Sequence, residues 1–209
     1  MDRLVAFGCS LTQGQYLPDN YNTDKPSKLS WPQLLANKLN LQCINLGKGG
    51  ASSKEILYKI LNFDFNKNDF AVILWSHNDR DCIISSENLI EQIGIWKVDY
   101  DKLSKFYFET FYKEINTKIQ NHIYYNYCNL YLKNKKIRQL HLQANRENIN
   151  INSYSESFNK WNNVKILNVF ISDIRKNFPL ALDNHHPGIE AHENFANQIF
   201  EKYIKSDYV

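Results

Sequence analysis

Leu4-Val5-Ala6-Phe7-Gly8-Cys9-Ser10-Leu11-Thr12 is the stretch that decides the fold. Four apolar residues run without a polar interruption, stop at a glycine and give way to a short polar turn. A strand with one wet face alternates apolar and polar residues, whereas a continuous run implies cover on both faces, the condition of a parallel sheet. Four more stretches read the same way, at residues 42–46, 70–75, 137–142 and 164–169. Helical patterns lie between most of them. Ser30-Trp31-Pro32 opens one, with proline in the first turn and Leu34, Leu35 and Leu39 on one face. Ser52-Ser53-Lys54-Glu55 has the form of a capping box ahead of Ile56, Leu57, Ile60 and Leu61. Gly188 begins a last helix in which Ala191, Phe195, Ile199 and Tyr203 recur every four residues. Strand alternating with helix predicts a doubly wound α/β fold with a parallel sheet of about five strands.

One stretch departs from the alternation. Within a helical and aromatic insertion at about 80–135, after the third strand, Leu103, Tyr107, Phe111, Ile115, Ile119, Ile123, Tyr127 and Tyr131 recur every four residues, in one helix or two. Its aromatic surface suits packing onto the sheet, or else a lid or dimer surface beside an active site. A polar stretch at 144–163 reads as a loop.

With 209 residues, 43 % of them hydrophobic, one domain spanning 1–209 is expected. Seven glycines and five prolines exclude collagen-like and low-complexity classes. No apolar run approaches the roughly 20 residues of a membrane-spanning helix. The N-terminus enters a strand without a basic region and a long apolar stretch, so a cytoplasmic location is expected. A net charge of +3, with interspersed charges, does not point to nucleic acid. The four cysteines are scattered with no CxxC pair, and reduced, mostly buried thiols are expected.

In open parallel sheets, ligands bind where the chain leaves the carboxyl ends of the strands. Those loops are Gly8-Cys9-Ser10-Leu11-Thr12, Asn45 through Ser52, and Ser76-His77-Asn78-Asp79-Arg80; well after the fifth run comes Asp183-Asn184-His185-His186-Pro187-Gly188. A hydroxyl nucleophile needs a base, and the base needs a group that fixes its tautomer. Ser10, His186 and Asp183 can fill these roles. An oxyanion needs donors already aimed at it; the N–H groups of Ser10 and Gly50 and the amide of Asn78 can supply three.

At this point the chain resembles the SGNH/GDSL hydrolase family, named for Ser, Gly, Asn and His in four blocks that occur here in the same order. The resemblance spans residues 4 to about 200. It implies a flavodoxin-like three-layer α/β/α sandwich, a catalytic set of Ser10, Asp183 and His186, and an oxyanion hole of Ser10, Gly50 and Asn78. Two positions depart from the pattern. Cys9 stands where the family has Asp, as in a Gly-Cys-Ser branch, and Ser76 replaces the Gly that often opens the third block. His77 reads as a hydrogen-bonded structural residue or a substrate contact, and Arg80 is a further substrate-binding candidate.

Other readings stand beside this one. Ser10 alone suits a helix N-cap. Gly47-Lys48-Gly49-Gly50 suggests a phosphate loop but lacks the Gly-x-x-x-x-Gly-Lys-Ser/Thr pattern. Asp183, His185, His186 and His192 match no common zinc spacing, and His192 suits packing or a hydrogen bond within the last helix. No metal and no cofactor is called for. The function expected is a serine esterase that cleaves a small acyl ester, acetyl above all, of a small molecule or glycan. The alternatives are a carbohydrate O-acetyltransferase on the same triad and a catalytically silent binding module.

Overall fold

In a computed structural model that describes residues 2–21, 24–86, 89–146 and 164–205, the apolar run at the N-terminus forms strand β1 (Arg3–Phe7), and the next two runs form β2 (Gln42–Asn45) and β3 (Phe70–Trp75). Every residue of β3 and the last four of β1 are buried, which is why their sequence is continuously apolar rather than alternating. Two strands not anticipated follow, β4 (Arg80–Ser86) and β5 (Leu89–Gly94), paired as an antiparallel hairpin. The fourth sheet strand is β6 (Arg138–Gln143), one residue later than the sequence suggests. The main sheet is parallel throughout in the order β2-β1-β3-β6. The connection from β1 runs outward to β2 on one side and that from β3 outward to β6 on the other, and this reversal opens a crevice at the carboxyl ends of β1 and β3.

Seven helices are described: α1 (Ser10–Gln13), α2 (Trp31–Lys38), α3 (Ser53–Leu61), α4 (Lys102–Thr110), α5 (Glu114–Asn134), α6 (Ile171–Ile174) and α7 (Ile189–Lys205). Helix α2 packs on α7 and α3 on α5, which gives the sheet its helical layers. The expected capping box is half made. Ser52 accepts from the Glu55 N–H at 3.2 Å, but the buried Glu55 carboxylate turns to Gln92 Nε2, at 2.9 Å, and Lys48 Nζ, at 3.1 Å.

Two expectations are corrected. The fifth strand, at 164–169, is reduced to a bridge between Ile166 and His141. Val164, Leu167 and Val169 are buried as an apolar run should be, but the Val169 N–H closes onto the Leu167 carbonyl at 2.8 Å. That tight turn steers the backbone off the ladder. The insertion, read as helical from about 80, opens with the β4–β5 hairpin, and the helical stripe occupies α4 and α5 only. The stripe is not the core-facing side: its Phe111, Ile123 and Tyr127 are exposed, and the α5 residues that enter the core are Tyr125, Cys128 and Leu132, outside the stripe. Of the polar stretch at 144–163, residues 147–163 lie outside those described. The four thiols are free, and burial pushes that of Cys43 up to about 12. Among the described residues no helix is long and apolar enough to cross a membrane.

Candidate active site

Strand β1 delivers the chain to Gly8, where a side chain would collide with Thr12 and lie 3.1 Å from the Leu74 carbonyl. The close approach lets the backbone turn at once into α1. Cys9 is the N-cap residue, its side chain buried, and its carbonyl accepts from Thr12 and Gln13, both at 3.0 Å. Ser10 is therefore the first residue of the single turn, 5 % exposed, and its N–H is one of the donors that a helix start leaves without an intrahelical partner.

The loop after β2 is clamped from two sides. Gln13 Oε1 accepts from the Gly49 N–H at 2.7 Å and Gln92 Nε2 donates to the Gly49 carbonyl at 2.8 Å. Ala51 donates to the Lys48 carbonyl. The N–H of Gly50, between these anchored neighbours, has no partner among the described residues. Gly50 has φ of 74°, and a Cβ there would press on Gln92 and come within 3.2 Å of the Trp96 ring. Backbone conformation and crowding both call for glycine.

The strongest local geometry is in the last loop. Asp183 Oδ1 accepts from the N–H groups of His185, at 3.1 Å, and His186, at 3.0 Å, while Oδ2 lies 2.6 Å from His186 Nδ1. One carboxylate thus shapes the turn and fixes the imidazole. Burial alone would raise the Asp183 pKa, but the two backbone donors and the imidazole outweigh it and hold the carboxyl below its usual range. The Tyr16 ring packs on that of His186 at 5.2 Å. Tyr16 itself has φ of 65°, uncommon for a bulky residue, and its carbonyl accepts from Leu182 at 3.3 Å.

Ser10, Gly50, His77, Arg80, Asp183 and His186 all wall one open cleft of about 1160 Å³. Among the described residues no hydrogen bond joins Ser10 to His186. Asn78 is placed differently: it borders a small cavity of about 10 Å³ beside Ser76 and Asn121, while its neighbours His77 and Asp79 face the cleft. Burial, reinforced by the guanidinium groups of Arg80 and Arg175 and opposed by Asp79, lowers the His77 pKa to about 4. His192 does not join the cleft. It is buried, with Nδ1 accepting from the Trp31 N–H at 3.2 Å. Among the described residues no three His, Cys, Asp or Glu side chains are grouped so as to hold a metal ion.

Sequence reading missed Tyr16, Gln92, Trp96 and Arg175. Gln92 and Trp96 come from the unexpected hairpin and the turn after it, and no sequence pattern marks them as cleft residues. A β signal for the hairpin was present in Ile83-Ile84 and Ile90, with Ser85-Ser86 between.

No family model matches the chain, and no curated protein matches it. Solved structures do. A member of the lipolytic protein G-D-S-L family from Veillonella parvula DSM 2008 is 12 % identical, with 99 % of this chain and 100 % of that one covered at a TM-score of 0.50. The psychrotrophic esterase EstA from Pseudoalteromonas sp. is 13 % identical over 97 % of both chains, TM-score 0.55. An acetyl xylan esterase, AlAXEase, is 16 % identical over 95 % of this chain and 98 % of its own, TM-score 0.51. At such identities the likeness is one of fold, and the fold of this chain is that of the G-D-S-L lipolytic proteins and esterases.

Proposed function

We propose that the chain is a serine ester hydrolase. Ser10 is the nucleophile, His186 the general base and Asp183 the residue that orients it. The observation that carries this reading is the 2.6 Å contact of Asp183 Oδ2 with His186 Nδ1, in a cleft that Ser10 shares. With Nδ1–H donated to the carboxylate, the lone pair of the imidazole is on Nε2, the tautomer a base needs. Ser10 Oγ attacks the ester carbonyl and passes its proton to Nε2. The N–H groups of Ser10 and Gly50, which line the cleft, stabilise the oxyanion, and the Asn78 amide, borne between the cleft residues His77 and Asp79, is the third donor of this reading. The C–O bond to the alcohol then breaks, and His186 returns the proton to the departing oxygen. A water, deprotonated by the same nitrogen, releases the acid from Ser10. Ser10 and His186 come within bonding distance when substrate closes the site, as catalytic contacts that are loose in a free enzyme commonly do.

A small acyl ester, acetyl foremost, on a carbohydrate or other polar alcohol is the proposed substrate. The breadth of the cleft supports it, as does the fold shared with an acetyl xylan esterase. The same breadth leaves room for an acceptor hydroxyl instead of water, which would make the protein an O-acetyltransferase. Hydrolysis of p-nitrophenyl acetate by the wild type, Ser10→Ala and His186→Ala tests the proposal. Loss of activity in both folded variants is expected. Activity unchanged in either variant would remove that residue from the mechanism, and none in the wild type would turn the search to acceptor sugars.

A further inference from the structure

Arg80 is the first residue of β4, and its guanidinium lies over the Trp96 ring, Cζ 4.7 Å from the ring centre. Its Nε and Nη1 are shut off from solvent, and neither has a hydrogen-bond partner among the described residues. A guanidinium cannot shed its charge to ease such a position, and its donors are set in a planar fork. Buried donors of this kind ordinarily find acceptors.

Two of the carboxylates nearby are engaged elsewhere. Asp81 pairs with Lys54 at 3.3 Å and takes the Tyr107 hydroxyl at 3.2 Å. Asp183 is held by His186 and two backbone donors. Lys48, a further cation of the cleft, is paired with Glu55. Arg175 lies exposed in the same cleft and forms no ion pair among the described residues. Two guanidinium groups thus face a space that also holds Ser10 and His186; Asp24 and Asp79 line it too, but among the described residues neither pairs with Arg80 or Arg175.

We propose that Arg80, with Arg175, forms a subsite for an anionic group carried by the ester substrate, a carboxylate or a phosphate that accepts from the planar fork over Trp96. This rests on the esterase reading and names its substrate class: an acyl ester of an acidic alcohol, such as an acetylated sugar acid or sugar phosphate. The aromatic ring holds the guanidinium flat, and an oxyanion in the cleft binds the part of the charged group that lines it, since Nε and Nη1 themselves are covered.

The test has two independent readouts. Acetate release is compared for acetylated glucose, glucuronate and glucose 6-phosphate, with p-nitrophenyl acetate run alongside to report the Ser10 chemistry by itself. The wild type is expected to favour at least one anionic ester over the neutral one by tenfold or more in kcat/KM, and Arg80→Gln to reduce that ratio at least tenfold. Thermal shifts of folded Ser10→Ala with glucuronate, glucose 6-phosphate or glucose read the subsite without turnover. A rise in Tm with either anion and not with glucose, reduced by Arg80→Gln and by Arg175→Gln, is the expected result, and the anion that works names the group. Equal response to glucose, no response at all, or a response kept in the Arg80 variant would overturn the subsite. Hydrolysis of p-nitrophenyl acetate that still depends on Ser10 would then leave the esterase standing, whereas anion binding without any turnover would keep the subsite and remove the esterase.

Discussion

Asn121 Nδ2 donates to Asn78 Oδ1 at 2.6 Å, so a side chain from the inserted helix α5 sets the amide of the loop after β3. With its carbonyl oxygen engaged, the amide presents its NH₂ group elsewhere, which is the polarity an oxyanion donor requires. Removing one such donor costs on the order of 10²–10³-fold in kcat, the loss expected for Asn78→Ala. Asn121→Ala frees the amide to rotate and should lower kcat by about tenfold with KM nearly unchanged. Asn121→Asp is the sharper test, because a carboxylate only accepts and would draw the Asn78 NH₂ toward itself. It should be worse than alanine in steady-state kinetics; an Asp variant as active as wild type would exclude the positioning role.

Gly50→Ala forces a side chain into a left-handed backbone, at about 1–2 kcal/mol, and against Gln92 and Trp96. We expect a fall in Tm of a few degrees, given about 2–4 °C per kcal/mol for a chain of this size, and at least a tenfold loss of kcat. Adding Gln92→Ala relieves the collision but not the backbone strain. Calorimetry should therefore show partial recovery of Tm, although a hydrogen bond to the Gly49 carbonyl is also lost.

Asp183→Asn preserves an oxygen for the His185 and His186 N–H groups, so the turn should survive. Its amide would donate to Nδ1 and move the ring proton to Nε2, the wrong tautomer for a base. A loss on the order of 10³–10⁴-fold in kcat is expected, with a circular dichroism spectrum like that of the wild type. A loss under tenfold would show that Asp183 serves the turn alone.

Stability should fall in mild acid because burial lowers the pKa of several histidines, His141 and His192 the furthest. Burial, with Lys133 adding to it, lowers the His141 pKa to about 3; burial and His186 do the same for His192. His141 Nδ1 accepts from Trp75 Nε1 at 3.0 Å, and His192 Nδ1 from the Trp31 N–H, so protonation at Nδ1 would cost each an acceptor. In the unfolded chain both titrate near 6.5. Between about 3 and about 6.5 the unfolded state binds more protons, so stability rises with pH there, by up to about 1.4 kcal/mol per unit for each histidine. Urea midpoints should be flat above pH 7 and fall through pH 6 and 5. The fall should be shallower in His192→Gln; an identical slope would clear His192 of the effect.

The strands were legible to different degrees: 4–7 and 70–75 are continuously apolar because both faces are covered, whereas 42–46 and 137–142 carry Gln42, Asn45, Arg138, Gln139 and His141, and β2 is exposed or half-buried along its length. That Ser10, Gly50, Asp183 and His186 line one cleft was legible from their places at strand ends and ahead of the last helix, and from the four-block resemblance. The run at 164–169 misled because apolarity reports burial, and a buried segment that turns on itself at Leu167–Val169 has the same composition as a strand. The hairpin was masked by the stronger four-residue period that begins at Leu103. Tyr16, Asn121 and Arg175 reach the site through tertiary packing alone, and no local pattern encodes that.

The hairpin divides labour within the protein. The proposed nucleophile, base and orienting carboxylate belong to the ends of the sheet and the approach to α7, parts the fold cannot lose. Gln92 and Trp96 belong to an appendage between β3 and β6, and Arg80 stands at its root. The two parts still meet at one point, because Gln92 of the hairpin holds the Gly49 carbonyl, so a change in the appendage is felt at Gly50.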